Sequence, residues 1–403
     1  MRILIAAYVP KRREGGVAGI ANSVGSGLEQ RGHHVEYLFT GDLPTAPYVP
    51  GRFKELEFAI ELARLIRRDP TRYSVVNIHA PAGCAYGVLK YLSPSLRKNG
   101  PAYVMTLNGL EERRIYSMKR EAKKGKAFHF SFKNRLWQRI YHMPRFYFSI
   151  KTADHALCVG REVWTLSQVK YDLDPDQVTY SPSGVAERFF IQREYSKTAS
   201  TRLLFAGTWL DQRGIYYLRD ALRNLATRLP GLRLTIAGCG SDVETIKSFF
   251  DPELRPLLDV ISMVPYYQMP SLFAQNDIFV LPSLMEGMSL ALQEAMASGM
   301  AVITTETCGM IDSVENDFNG FLIPPADSYA LENAIWKLSQ NPELRARFGK
   351  AAQDTVRRRF TWARTIDSVE HACANALRRV GRESEIQCEP PTVTPKVAAA
   401  EHF

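Results

Sequence analysis

Residues 281–305, LPSLMEGMSLALQEAMASGMAVITT, predict one complete strand–helix–strand unit. Pro282 follows a short apolar run and breaks a strand, a helix is expected over 289–298, and the apolar run after it predicts the next strand. Gly299 directly follows the predicted helix, and glycine at that position commonly ends a helix in the left-handed conformation. Two strands joined through a helix belong to a parallel sheet, so this segment predicts an α/β fold.

The same alternation of short apolar runs and longer amphipathic stretches extends toward both ends of the chain. In the first half, strands are predicted at 2–9, 34–39, 74–79, 102–107, 156–159 and 178–181. Helices are predicted between them at 17–30, 54–67, 85–96, 136–150 and 162–170. In the second half, strands are predicted at 203–206, 233–237, 260–263, 277–281, 301–304 and 321–323. The pattern predicts two open parallel sheets with helices on both faces and a cleft between them.

The predicted domain boundary lies in the polar, Ser/Thr-rich stretch 192–201. It divides the chain into a first domain, 1–191, and a second domain, 192–360. An amphipathic helix over 361–380 is expected to pack back on the first domain. From residue 381 the composition shifts to Glu, Pro, Thr and Ala, which predicts a disordered tail over 381–403.

The composition excludes several classes of protein. The chain has 403 residues with ordinary globular usage, 45% hydrophobic and 23% charged, so it is neither fibrous nor wholly disordered. Its six cysteines form no C-x-x-C pair, which argues against a disulfide scaffold or a zinc ribbon. The apolar run at the N-terminus is expected to be a first strand rather than a signal peptide. These features favour a cytoplasmic protein.

The positive charge is concentrated in residues 111–151. This segment holds 12 Lys/Arg against 3 Asp/Glu, an excess that equals the net charge of +9 of the whole chain. It also contains nine aromatic residues: Tyr116, Phe128, Phe130, Phe132, Trp137, Tyr141, Phe146, Tyr147 and Phe148. Basic and aromatic residues together suit an anionic membrane surface, although a solvated basic face with inward-packed rings explains them equally well. No nucleic-acid-binding motif is present, so nucleic acid is not expected as a partner.

Two carboxylates flank the start of the predicted helix in the 281–305 unit. Glu286 lies in the loop and Glu294 follows eight positions later, a separation of ~12 Å if both were helical. The helix N-terminus between them, at about 288–290, is a natural phosphate-binding position. A sugar at Glu286, a diphosphate at the helix start and a ribose at Glu294 would together describe a nucleotide sugar. The spacing alone is equally compatible with an ordinary structural helix.

The sequence resembles the family-4 retaining glycosyltransferases over nearly its whole length. The second half carries the most specific features, the Glu-x7-Glu pattern with EG and EAMASG, followed by GMIDSVENDFNGFLIPP and NPELRARFGKAAQDTVRRRFTW. The first half carries weaker ones: REGG, VVNIHAP, TLNGLEERR, ADH and SPSGVAERFF. The resemblance implies the GT-B fold, in which two Rossmann-like domains face each other across a cleft. It also implies that the first domain, 1–191, is the acceptor side and that the second, 192–360, binds the nucleotide sugar.

The resemblance also implies roles for particular residues. Glu286 should contact the donor sugar, Glu294 should hold the ribose, and Arg213 should bind the donor diphosphate. The donor is further expected to contact the segment Gly287, Met288, Ser289 and Leu290. Fixed cations there would stabilise the departing phosphate as its negative charge develops.

Weaker assignments complete the predicted site. Gly16 and Gly15 are expected to approach the donor or the acceptor, and His79 matches a family histidine near the sugar. Val264 and Tyr266 match positions that cradle the nucleobase, with simple loop packing as the alternative. Glu286, Arg213 and His79 form the predicted catalytic set.

Two positions depart from the family pattern. Thr208 follows Gly207 in the diphosphate loop, where relatives often carry Arg, and Asn108 replaces a usual His on the acceptor side. These departures are compatible with a slow enzyme, an altered donor or a degenerate binding protein.

The resulting hypothesis is a retaining glycosyltransferase that uses a UDP- or GDP-type sugar, requires no metal and no cofactor, and needs no dedicated base. Its acceptor is expected to be a glycan or a lipid-linked sugar, with 111–151 resting on the inner face of the plasma membrane. The alternatives are a non-catalytic nucleotide-sugar or glycan-binding protein and a sugar-nucleotide epimerase of the same fold.

Overall fold

Two parallel six-stranded sheets make up the centre of the protein. The computed structural model describes residues 1–11, 15–124, 132–195, 197–199 and 201–386. In the first sheet, the side chains of β-strand residues 3–6 alternate between the two faces. Leu4 and Ala6 belong to the hydrophobic core on one face, and Ile3 and Ile5 belong to the core on the other. Both faces of the sheet are therefore covered, as expected for near-continuous apolar strands. The predicted α/β class with two Rossmann-like domains is confirmed.

The strand order reverses once in each sheet. The first sheet contains β1 (Arg2–Pro10), β2 (His34–Thr40), β3 (Val75–His79), β4 (Ala102–Leu107), β5 (His155–Cys158) and β6 (Val178–Tyr180), in the order β2-β1-β3-β4-β5-β6. The second contains β7 (Arg202–Ala206), β8 (Arg233–Ala237), β9 (Leu258–Ile261), β10 (Ile278–Leu281), β11 (Ala301–Thr305) and β12 (Phe321–Ile323), in the order β12-β11-β10-β7-β8-β9. The reversals lie between β1 and β3 and between β7 and β10. Crevices at such reversals are the usual ligand sites of open α/β sheets.

Helices connect the strands. Those of the first half are α1 (Gly16–Gln30), α2 (Lys54–Arg68), α3 (Cys84–Leu92), α4 (Pro94–Asn99), α5 (Glu111–Ala122), α6 (Phe132–Trp137), α7 (Met143–Lys151) and α8 (Arg161–Val169). Those of the second half are α9 (Ile215–Arg228), α10 (Val243–Phe249), α11 (Met269–Gln275), α12 (Leu290–Ala297), α13 (Met310–Ser313), α14 (Ser328–Gln340), α15 (Pro342–Arg359) and α16 (Trp362–Arg379). No helix within the described ranges combines the length and the apolar character that crossing a bilayer requires.

Three helical segments differ from the sequence-based expectation. The predicted helix 85–96 is divided into α3 and α4, because Pro94 starts a new helix and the Ser93 side chain accepts a hydrogen bond from the Leu96 amide. The predicted helix 136–150 contains a π-helical segment, Gln138–His142, just before Pro144. Helix α5 was not predicted, since charged residues dominate its sequence and obscure its apolar stripe.

The last helix packs on the first domain although it follows the second in sequence. Helix α16 buries Ile366, Val369, Cys373 and Leu377 in the core that contains Ile3 and Ile5 of β1. The chain continues to residue 386, and Arg382 donates a hydrogen bond of 2.6 Å to the Gly100 carbonyl oxygen. Residues 387–403 of the predicted disordered tail lie outside the described residues.

The two domains touch on one side of the cleft. The backbone amide of Arg161, at the start of α8, donates a hydrogen bond of 2.7 Å to Asp312 of the second domain. Nearby, a β-carbon added at Gly287 would overlap the Asn108 carbonyl oxygen. Glycine at position 287 therefore lets the backbones of the two domains approach directly.

Candidate active site

A cavity of about 350 Å³ opens between the two domains. The second domain contributes Gly207 and Thr208, which follow β7, and Glu286, which follows β10. The first domain contributes Gly16 from the start of α1 and Asn108 from the end of β4. The cavity therefore lies at the carboxyl ends of the strands where the order of the second sheet reverses, the position expected for a ligand.

Helix α12 points its N-terminus toward this cavity. It begins at Leu290, and the Ser289 side chain caps it by accepting a hydrogen bond of 3.4 Å from the Leu292 amide. Met288, Ser289 and Leu290 all line the cavity. Because Glu286 precedes the helix, the helical separation estimated between Glu286 and Glu294 does not apply. Gly299, with φ of 69°, follows the helix as expected for a left-handed helix end.

Arg213 and Glu286 form an ion pair in the cavity wall. Glu286 is only 8% exposed, and burial lowers the pKa of Arg213 to about 10. The Nε atom of Arg213 is buried and has no hydrogen-bond partner among the described residues. A buried guanidinium with an unsatisfied N–H group is suited to bind a further anion.

Glu294 lies on α12 one turn further along and faces a second cavity of about 490 Å³. This cavity shares Ile20 and Leu290 with the first, so the two carboxylates line neighbouring spaces. The Tyr266 hydroxyl donates a hydrogen bond of 2.7 Å to Glu294. Burial nevertheless raises the pKa of Glu294 to about 7, whereas Tyr266 and the charge of Arg188 oppose that shift.

His79 ends strand β3 and lies against Asn108. Its Nδ1 atom is 3.0 Å from the Asn108 side-chain nitrogen. An amide nitrogen only donates, so Nδ1 accepts and the proton of the neutral ring is on Nε2. Burial lowers the pKa of His79 to about 4, so the ring is neutral near pH 7. Asn108 lines the cavity, whereas His79 lies behind it.

Four of the remaining predicted residues line the two cavities. Gly16 and Thr208 line the first, and Gly15 and Tyr266 line the second. Val264 and Gly287 line neither cavity: Val264 packs against the core of the second domain, and Gly287 lies against the Asn108 carbonyl group.

Sequence reasoning missed two features near the site. Gln293 is fully buried on α12, and its Oε1 atom has no hydrogen-bond partner among the described residues. Glu121 of α5 is buried against the second domain and accepts a hydrogen bond from the Tyr217 hydroxyl of α9. A polar residue inside an apolar helix was the available signal for Gln293, whereas nothing in the sequence links Glu121 to Tyr217.

The described residues contain no group of three or more His, Cys, Asp or Glu side chains arranged to hold a metal ion. Among the described residues that line the first cavity, Arg213 and the amides at the start of α12 are the groups suited to bind an anion.

Comparison with known proteins identifies the family. Residues 14–188 match the protein family described as "Glycosyltransferase Family 4". Residues 187–355 match the family described as "Glycosyl transferases group 1". The chain belongs to the family-4 glycosyltransferases.

Several curated relatives are glycosyltransferases. The UDP-Gal:alpha-D-GlcNAc-diphosphoundecaprenol alpha-1,3-galactosyltransferase of Escherichia coli is 22% identical over 79% of both chains. The amylovoran biosynthesis glycosyltransferase AmsK of Erwinia amylovora is 26% identical over 44% of this chain and 46% of its own. The D-inositol 3-phosphate glycosyltransferase of Saccharomonospora viridis is 29% identical over 49% of this chain and 50% of its own. The chain spans about half the length of the latter two.

Solved structures share the whole architecture. The sucrose-phosphate synthase of Thermosynechococcus elongatus superposes with a TM-score of 0.72 at 17% identity, covering 96% of this chain and 99% of that one. WaaG, a glycosyltransferase involved in lipopolysaccharide biosynthesis, superposes with a TM-score of 0.68 at 16% sequence identity. The match covers 91% of this chain and 98% of WaaG. Anabaena HepE in complex with UDP superposes with a TM-score of 0.62 at 14% sequence identity. The match covers 92% of this chain and 98% of HepE. At these identities the likeness establishes the fold, and the GT-B prediction is confirmed.

Proposed function

We propose that this protein is a retaining, metal-independent glycosyltransferase that moves a sugar from a nucleotide diphosphate to a glycan or lipid-linked acceptor. The observation that carries the proposal is the buried pair of Arg213 and Glu286 at the N-terminus of α12, inside the interdomain cavity. The proposed process is cell-surface polysaccharide or lipopolysaccharide synthesis, which the names of AmsK and WaaG favour.

The donor diphosphate would bind between Arg213 and the first turn of α12. Arg213 has a buried, unsatisfied N–H group, and Leu290 begins a helix whose first amides favour an anion. Both groups are fixed before the reaction begins. They would therefore stabilise the negative charge that develops on the departing phosphate, with little reorganisation.

The ion pair of Arg213 and Glu286 would exchange partners when the donor enters. Arg213 would turn to the diphosphate, and the released Glu286 carboxylate would accept hydrogen bonds from hydroxyls of the donor sugar. Until then, each buried charge neutralises the other, which avoids the large cost of an unpaired buried ion.

Retention would follow from attack on the same face that the leaving group vacates. In this mechanism, the departing phosphate oxygen takes the proton of the acceptor hydroxyl, so no side chain serves as the base. His79 is a neutral ring near pH 7, and its proposed role is to position Asn108, which lines the cavity, by accepting a hydrogen bond from its side chain at Nδ1.

The ribose and the base would occupy the neighbouring cavity. Glu294 would accept hydrogen bonds from the ribose hydroxyl groups, and the Tyr266 ring would line the nucleobase position. UDP is the proposed nucleotide, because the E. coli relative is named for UDP-Gal and HepE is described in complex with UDP.

A peripheral contact with an anionic membrane, from the cytoplasmic side, is part of the proposal. Leu136, Ile140, Tyr147 and Phe148 are large apolar side chains exposed on the segment 132–151. Other rings of the segment pack inward, since Trp137 and Tyr141 contact Phe53 and Phe146 is buried; Phe128 and Phe130 lie outside the described residues. Adjacent cations would add about 1 kcal/mol each near anionic lipid.

Ligand binding and turnover test the proposal. A thermal-shift series with UDP, GDP, ADP and their sugars should select one nucleotide, since ligand at 100 times Kd stabilises by about 2.7 kcal/mol. Transfer to an acceptor, with the anomeric configuration followed by NMR in the presence of EDTA, tests retention and metal independence. Glu286→Gln, which keeps the shape of the side chain and a hydrogen-bond acceptor beside Arg213, should abolish transfer, and circular dichroism checks that the variant is folded. A change in the donor sugar without an acceptor would instead identify an epimerase, and nucleotide-sugar binding without turnover would identify a non-catalytic protein.

A further inference from the structure

A groove runs between α5 and the helical segment 132–143 of the first domain. It consists of two adjoining cavities of about 600 and 470 Å³, which have Tyr116, Lys119 and Arg135 in common. Lys123 lines the first cavity, and Arg139 lines the second. This groove accounts for much of the concentrated positive charge of residues 111–151.

Three cations at the C-terminal end of α5 line the groove: Lys119, Arg120 and Lys123, the residue that caps the helix. Tyr116, Lys119, Arg120 and Lys123 are spaced three or four residues apart, so their side chains are neighbours along the groove. Like charges at this spacing destabilise an isolated helix by a few tenths of a kcal/mol per pair. Lys119 and Arg120 lie in the last turn of α5, where the helix dipole favours cations and offsets this repulsion, so the three charges can be held together at little cost.

Four cations of the groove lie apart from the carboxylates that the structure describes. No ion pair among the described residues includes Lys119, Arg120, Lys123 or Arg139. Glu112 also lines the groove, but it is bound to Lys170 at 2.8 Å and to the Tyr171 hydroxyl. Lys119, Arg120, Lys123 and Arg139 are therefore the groove cations that an external anion could pair with.

The floor of the groove is partly apolar. Ile115, Tyr116 and Met143 contribute to it between the charged side chains. A ligand that carries an anionic group next to a hydrocarbon chain would match both parts of this surface. Lys and Arg side chains suit such a groove because their stems cover apolar surface while their charged ends stay in water.

The groove continues to the edge of the donor site. Tyr116 and Arg120 also line a cavity of about 150 Å³ that includes Leu284 and Met285 of the second domain. The Ser117 hydroxyl lies 3.5 Å from the Leu284 carbonyl oxygen. The residue after Met285 is Glu286, which lines the interdomain cavity. A molecule bound along α5 is therefore directed toward the proposed position of the donor sugar.

We propose that this groove binds the phosphate or diphosphate of a lipid-linked acceptor, with the first part of the hydrocarbon chain on its apolar floor. The proposal rests on the proposed transfer function and adds to it a separate anion site for the acceptor. It also separates two uses of the basic segment: the groove cations hold the acceptor, whereas Leu136 and Ile140, which do not line the groove, face outward.

Equilibrium binding of farnesyl diphosphate to the full chain tests the groove. The triple variant Lys119→Ala/Lys123→Ala/Arg139→Ala should weaken binding at least tenfold. The control Arg68→Ala/Arg97→Ala/Lys98→Ala removes the same charge from exposed positions outside the groove and should bind as the wild type does. A charge-preserving variant, Lys119→Arg/Lys123→Arg, should retain binding, which guards against a folding defect. Unchanged binding by the triple alanine variant would overturn the proposal.

Two further arms identify where the anion binds. Arg213→Gln removes the donor-site cation and should leave farnesyl diphosphate binding intact; loss of binding in this variant but not in the triple variant would assign the anion to the donor cleft and overturn the groove. Vesicles of 70% phosphatidylcholine and 30% phosphatidylglycerol provide the second arm. If the triple variant loses vesicle binding but binds farnesyl diphosphate normally, the groove recognises lipid headgroups instead, and the proposal fails. The binding assay needs no donor and no turnover, so its outcome is independent of whether the transfer reaction itself is demonstrated.

Discussion

At the scale of single residues, the candidate site depends on charges that are buried before any substrate arrives. Arg213 is held against Glu286, and burial lowers its pKa to about 10, so it still carries a full charge near pH 7. Thr208, at the position where relatives often carry arginine, contributes no second cation to the cavity. Among the described residues that line this cavity, the positive charge available to an anion therefore comes from Arg213 and the amides at the start of α12.

Replacing Arg213 by glutamine should lower kcat by about 10²–10³, the usual effect of removing one preorganised transition-state donor. Arg213→Lys keeps the positive charge beside Glu286 and should retain much more activity than Arg213→Gln. Single-turnover kinetics of both variants measure the effect. Equal activity of Arg213→Gln and wild type would remove Arg213 from the mechanism.

Donor binding should depend on pH through Glu294. Because its pKa is about 7, the fraction of Glu294 in the carboxylate form increases as pH rises from 6 to 8. The carboxylate is the form proposed to accept hydrogen bonds from two ribose hydroxyl groups. Donor affinity should therefore improve by up to about tenfold over this interval, as titration of one group predicts. Calorimetric Kd values at pH 6, 7 and 8 test this, with Glu294→Gln as a pH-insensitive control. Tyr266→Phe removes a hydrogen bond to the carboxylate and should move the transition to higher pH.

The same residue should make the fold less stable at high pH. The pKa of Glu294 is about 7 in the folded chain and near 4.5 when exposed, so the folded state binds the proton more tightly between these values. Its contribution to stability is complete below about pH 4.5 and is lost as pH rises through 7. Glu294→Gln should therefore raise the thermal midpoint relative to wild type at pH 8, and this gain should shrink toward pH 4.5. A constant difference across this range would contradict the assignment.

At the scale of secondary-structure elements, helix α16 links the two ends of the chain. Its apolar face completes the core beside β1, and Arg31 of the first domain pairs with Glu370 at 2.6 Å. The first domain therefore needs residues that the chain supplies only after the second domain is complete.

Leu377→Ala should destabilise the first domain by about 2–5 kcal/mol, since Leu377 is fully buried and truncation leaves a cavity. Arg378→Ala on the exposed face of the same helix should change stability by less than about 0.5 kcal/mol. Chemical unfolding monitored by circular dichroism compares the two. Similar effects would mean that α16 is not part of the first core.

At the scale of the whole molecule, backbone contacts of glycines set how closely the domains approach. Gly287 directly follows Glu286, and its α-carbon faces the Asn108 carbonyl and Gly109 of the first domain. The contact brings Glu286 to the cleft edge opposite Asn108. Closure of this kind excludes water from an activated sugar.

Gly287→Ala should hold the domains apart, because the added β-carbon overlaps the Asn108 carbonyl oxygen. Nucleotide binding to the second domain should persist, whereas transfer should fall steeply and donor hydrolysis should rise relative to transfer. Gly51→Ala, at a position with open space around it, is the matched control. A closed cleft in Gly287→Ala, measured by small-angle X-ray scattering, would show that this contact does not limit closure.

The sequence by itself determined the two parallel sheets, since buried parallel strands require short apolar runs that alternate with amphipathic helices, and this pattern is local. It also determined the family, through the Glu-x7-Glu segment and its surroundings. Only the tertiary structure decided that Arg213 pairs with Glu286, that Tyr266 binds Glu294 and that α5 forms a basic groove. Tyr266 and Glu294 are 28 positions apart in the sequence, and Arg213 and Glu286 are 73 apart. The walls of the groove come from separate helices. The formation of these contacts depends on how the elements pack, which no local pattern specifies.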